Sequence, residues 1–128
     1  MPRVYVIQVP NPGGHRKATY DTTPAEQYGQ INYIFEAGFS PSLSPAKAIE
    51  IARKALAYFD SDTDFLVWAG GDPAGMMLVG AVAFSQSVNG DLKWLKWENN
   101  RDPETRQPNG SGHYIPITFP LSLLAEHH

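Results

Sequence analysis

The chain has 128 residues, 42% of them apolar and 18% charged, with no cysteine and a formal charge of −3. That length suits one domain with a single buried core, and the missing cysteines exclude disulfides, thiol catalysis and thiolate metal sites. The acidic balance, with a pI near 5.7, gives no general attraction to phosphate backbones, and the linear sequence holds no basic patch to supply one locally.

The N-terminus, MPRVYVIQVP, lacks the apolar run of a secretory signal. Arg3 to Val9 is rich in β-branched residues and reads as an internal strand closed by Pro10. Asn11 to Pro24 (NPGGHRKATYDTTP) is turn-forming and polar, a long loop. Gly29 to Glu36 sets Ile31, Tyr33 and Phe35 on one side of a second strand. Ser44 then caps a helix with Pro45 in its first turn. Ile49, Ala52, Leu56 and Phe59 form its buried stripe, and Glu50 and Lys54 make an i, i+4 pair on the wet side. Asp60 to Asp64 (DSDTD) reads as a solvated acidic turn, without the oxygen set, glycine bend or late glutamate that calcium requires.

Phe65 to Ala69 is a third strand, apolar throughout and therefore covered on both faces. The longest apolar stretch, Phe65 to Phe84, is broken by Asp72-Pro73, so it is soluble core and no membrane association is expected. After Gly70-Gly71, Asp72 caps a second helix running to about Val88. That helix has no polar side chain from Ala74 to Phe84, and a helix apolar all round must be covered all round. Leu92 to Trp97 (LKWLKW) is a fourth strand. Glu98 to Gly112 is the least structured stretch, and Tyr114 to Leu121 (YIPITFPL) is a fifth strand. Pro116 and Pro120 place that last strand at an edge. The order is β-β-α-β-α-β-β. The expected fold is a single α/β domain over residues 1–126, a mixed sheet with a parallel β-α-β-α-β centre and a C-terminal antiparallel hairpin. His127 and His128 resemble the start of a purification tag.

Two glycines between strand and helix can bring backbone N–H groups close to a phosphate. Gly70, Gly71 and Asp72 are therefore candidate ligand-binding residues. The loop is neither G-x-G-x-x-G nor G-x-x-x-x-G-K-[ST], however, and Asp72 puts a carboxylate where an anion would sit. His15 and His113 are candidate bases, but no H-E-x-x-H or G-x-S-x-G accompanies them, so no catalytic residue, metal or cofactor is assigned. Trp94 and Trp97, interleaved with Lys93 and Lys96, could stack on single-stranded nucleic acid. Two lysines in an acidic chain make that patch weak, and no nucleic-acid partner is expected. The acidic residues Asp60, Asp62, Asp64, Asp102 and Glu104 are too few for a nucleic-acid mimic. Met76, Met77, Val79 and Gly80 on the second helix are the candidate interface, suited to close packing of a second copy or of another protein.

Five elements are similar to small tailed-bacteriophage proteins of unknown function: the VYVIQ strand, Thr23-Pro24-Ala25-Glu26-Gln27-Tyr28-Gly29, Asp64-Phe65-Leu66 through Gly71-Asp72-Pro73, Leu95-Lys96-Trp97 and Tyr114-Ile115-Pro116-Ile117. The resemblance implies viral origin and expression in a host cytoplasm, and it carries over no catalytic residue. The Glu98 to Gly112 stretch is longer than in that pattern. The leading expectation is a non-enzymatic phage-type protein acting through protein–protein interaction, as a homo-oligomer or with a host or phage protein. The alternative is a small-ligand or nucleotide-binding domain using the Gly70-Gly71-Asp72 corner.

Overall fold

The computed structural model describes residues 2–9, 23–68, 72–87 and 90–126. Five strands form one sheet: β1 (Arg3–Gln8), β2 (Gln30–Phe35), β3 (Phe65–Val67), β4 (Asp91–Arg101) and β5 (Pro108–Pro120). Their spatial order is β2-β1-β3-β4-β5. The first four are parallel and β5 returns antiparallel to β4, which is the expected α/β class and order. Helices α1 (Pro45–Ala55) and α2 (Pro73–Ser85) are joined by two 3-10 helices, Thr23–Tyr28 and Leu121–Glu126.

The direction of each crossover fixes the layers. From β1 the chain steps to one side to reach β2, whereas β2 to β3 and β3 to β4 step the other way. With right-handed connections, α1 and α2 must share one face and the Thr23–Tyr28 helix must take the opposite one. The core divides accordingly. Tyr5, Ile7, Leu66 and Leu92 meet α1 and α2, while Val4, Val6, Val67 and Leu95 meet Ala25 and Tyr28. Alternate residues of β1 thus enter both cores, as its uniformly apolar sequence predicts.

Local signals succeed unevenly. Asp72 caps α2 through its side chain, accepting from Ala74 N at 3.0 Å, with Pro73 in the first turn. Ser44 stands at the corresponding place on α1 but makes no side-chain cap bond. The stripe of α1 is also rotated from expectation: Ala48 and Ala52 are buried with Leu56 and Phe59, and Ile49 is exposed. Alanines on that face let α1 lie close against α2.

The acidic turn is solvated only in part: Asp60, Asp62 and Thr63 are exposed, but Ser61 and Asp64 are buried. Asp64 is 3% exposed. Its Oδ1 accepts from Arg3 N at 2.9 Å and the Thr63 hydroxyl at 3.2 Å, and its Oδ2 accepts from Asp60 N at 2.8 Å. The carboxylate therefore ties the start of β1 to the turn before β3.

The stretch expected to be unstructured, Glu98 to Gly112, is largely hairpin. Strand β4 runs on to Arg101, β5 begins at Pro108, and a bulge separates Asn99 from Arg101. Asn100 Nδ2 donates to Ser111 Oγ at 3.0 Å, and Trp97 lies where a Cβ on Gly112 would be. The outer edge of the sheet is β5. Because proline has no N–H, Pro116 and Pro120 must turn away from β4, and the same parity turns the Tyr114 carbonyl outward. There the Tyr28 hydroxyl donates to it at 3.1 Å. The opposite edge, β2, contains no proline.

Candidate functional site

Of the Gly70-Gly71-Asp72 corner, only Asp72 is among the described residues. Its Oδ2 accepts from Ser42 N at 3.0 Å and the Ser40 hydroxyl at 3.3 Å, while Oδ1 caps α2. The carboxylate thus joins the α2 N-terminus to the loop before α1. The Ser42 hydroxyl, the Ala74 N–H and the Ser42 N–H hold its pKa below the ordinary value. Asp72 is therefore an anion at neutral pH, already bonded to the amides an anionic ligand would need. Its job is structural. A depressed folded-state pKa means stability that is present above the unfolded value, near 3.9, and lost as pH falls through the lower folded value. Asp72→Asn should lower the melting temperature at pH 7, and the gap to wild type should narrow as pH falls below about 4. Thermal melts followed by circular dichroism at pH 7 and pH 2.5 check this; an equal gap at both would contradict it.

The histidine and tryptophan candidates are not brought together. His15 lies outside the described residues. His113 is exposed on β5, with Nδ1 2.7 Å from Asn100 Oδ1. Trp94 and Trp97 point to opposite faces of the sheet, one toward each core. Trp97 is edge-on to Tyr114 at 5.0 Å and donates from Nε1 to Asn99 Oδ1, and Lys93 donates to the Asp62 carbonyl. They form no common stacking platform. The acidic residues are likewise spent locally: Asp60 and Asp102 carboxylates accept from backbone N–H groups of their own turns.

The candidate interface on α2 divides in two. Val79 was expected at the interface but is fully buried in the core, because α2 packs on the sheet through Gly75, Val79 and Ala83. At Gly75 the approach is close: an added Cβ would lie 3.3 Å from both Ile7 Cγ2 and Pro41 Cγ. Met76, Met77 and Gly80 lie on the other side. At about 100° per residue, Met76, Met77, Gly80, Ala81 and Phe84 fall within an arc of roughly 140°. The helix has one covered face and one apolar face in water.

The exposed face continues onto the sheet. A shallow groove of about 350 Å³ is lined by Met76, Met77, Gly80, Trp94, Phe119 and Leu121, with Leu92 at its floor. Phe119 reaches it because β5 pairs Phe119 with Leu92 on the helix side. Beyond Leu121, Leu123 and Leu124 are also exposed, and the three-residue repeat of the 3-10 helix sets Leu124 on the side of Leu121. There is no charged side chain in α2 or among the groove residues. The sequence marks Met76, Met77 and Gly80. It misses Phe84, Phe119 and the two leucines, whose only signal is a run of large apolar residues after the final edge-strand proline. Among the described residues, no group of His, Asp and Glu could hold a metal ion, and no helix is long and apolar enough to cross a membrane.

A family model described as Phage Pam3 gp32-like protein matches residues 2–105, and the chain belongs to that family. The matched span takes in β1 to β4 and both α-helices and stops in the β4–β5 turn. No curated protein and no solved structure matches the chain.

Proposed function

We propose that this phage-family protein acts without chemistry of its own, in the host cytoplasm, by docking a protein on the exposed face of α2 and the neighbouring end of β5. The observation that carries this reading is the uncharged apolar surface that runs from Met76 and Met77 across Phe119 to Leu121. The largest contiguous apolar patch on a protein surface is often an interaction site. Two methionines at its centre suit the role, since their unbranched, polarisable side chains adapt to a partner's shape. Asp72, by contrast, has its oxygens engaged within the fold, which leaves the small-ligand reading without support from that residue.

The test is site-specific photocrosslinking in infected cells. A benzophenone amino acid at Met77 should give a discrete adduct of defined mass on irradiation. The same group at Tyr58, exposed in the turn after α1, should not. Absence of an adduct at Met77, or the same adducts at both positions, would overturn the docking role.

A further inference from the structure

We infer that the occupant of this face is a second copy of the chain, set against it by a two-fold axis that brings α2 onto α2. The inference rests on the reading that this face docks protein, and adds which protein.

Three features point to self-pairing. The first is area. Met77 and Leu124 are 74% and 66% exposed, and Phe119, Phe84 and Met76 are 45%, 40% and 39% exposed. At about 200 Å² for a large side chain, these five leave on the order of 500 Å² of apolar surface in water. Against an identical patch roughly 1,000 Å² is removed, and the flanking Pro73 and Ala81 add to it; a specific interface must clear about that size.

The second feature is charge. A two-fold axis sets the patch against an identical patch, so a face of one charge sign would repel itself. Here α2 and the groove carry no charge, whereas a separate partner is commonly selected and oriented by complementary charges.

The third is shape. Met77 projects from α2, and Gly80 lies about one turn away on the same face with open space where its Cβ would be. Inverting one copy on the other places each Met77 over the Gly80 of its neighbour. Projection and gap on a single patch are what an isologous contact needs. Glycine there also lets the two helices approach closely.

Sedimentation equilibrium on the purified full chain at tens of micromolar tests this. Wild type should have twice the 14.1 kDa chain mass. Met77→Asp should fall to one chain mass, because pairing would bury both new carboxylates in an uncharged contact about one helical turn apart. Met77→Lys should do the same, and an equimolar mixture of the two should return to twice the mass through opposite charges. Gly80→Leu, which fills the gap where the isolated chain has room, should also reduce the dimer. A circular dichroism spectrum matching wild type, with a cooperative melt, establishes that each variant is folded. A wild-type mass of one chain, a Met77→Asp variant that stays at two, or a mixture that fails to pair would each overturn the two-fold arrangement. The docking role fails separately. A single-chain wild type whose Met77 still crosslinks another protein removes only the dimer; a single-chain wild type with no Met77 adduct removes both.

Discussion

Replacing Asp64 by alanine should reduce the unfolding free energy by about 3 kcal/mol, the sum expected when a buried carboxylate leaves its donors unpaired. Arg3 N and Asp60 N both point at its oxygens, from segments 61 and 4 residues away. Neither donor can turn to water without moving the start of β1 or the end of the turn. Thr63→Ala, which removes only the weaker hydroxyl partner at 3.2 Å, should cost under about 1 kcal/mol. Asp64→Asn keeps the shape but turns an NH2 group toward one of the donors, so it should fall nearer to alanine than to wild type. Urea denaturation of the three variants gives the comparison. A loss below about 1 kcal/mol for Asp64→Ala would mean that the β1 amide finds another acceptor.

Gly29→Val should be similarly costly, about 3 kcal/mol, at the upper end of what overpacking a rigid site costs. A Cβ on Gly29 would lie 2.5 Å from the Pro2 carbonyl oxygen and 2.7 Å from its carbon. That carbonyl also accepts from Gln30 N at 3.1 Å, the first rung between β1 and β2. The clash is with backbone, so no rotamer change relieves it, and moving Pro2 breaks the rung. Gly38 is the control. Its φ of +82° strains any other residue, but nothing lies within 4 Å of its Cβ position. Gly38→Ala should therefore cost only the conformational penalty of about 1 kcal/mol. Thermal melts should show Gly29→Val dropping roughly 10 °C, from about 4 °C per kcal/mol for a domain near this size. Equal losses at the two glycines would show that conformation outweighs contact at Gly29.

How much of this was readable in advance follows the range of each interaction. The two-sided burial of β1 and the Asp72-Pro73 start of α2 depend on neighbours in sequence, and both are legible. The burial of Asp64 depends on Arg3, and nothing near DSDTD announces it. On α1, hydropathy favours Ile49 as a core residue. The structure buries Ala48 instead, because a second helix lies close enough to reward a small side chain, and that distance is absent from a single sequence. The Glu98 to Gly112 stretch has turn-rich composition. It is held as strand by bonds across the hairpin, Asn100 to Ser111 and His113 to Asn100, and by Trp97 lying over Gly112. For the candidate site the limit is sharper. A helix apolar on every side gives no hint of which side meets the core. Val79 and Met77 look equivalent until the sheet lies beneath one of them. The match to a phage family adds origin to this picture and leaves the activity as proposed.

The prolines of β5 bear on how these molecules behave when crowded. Fibre growth by lateral strand addition needs two receptive edges on every molecule, so that each newcomer offers a fresh one. Here Pro116 and Pro120 withdraw the donors along one edge, and Tyr28 occupies the outward carbonyl of Tyr114. Among the described residues, β2 is the edge left without such protection, and contact between two β2 edges would end with a single pair. A sheet with one blunt side is protected against runaway polymerisation.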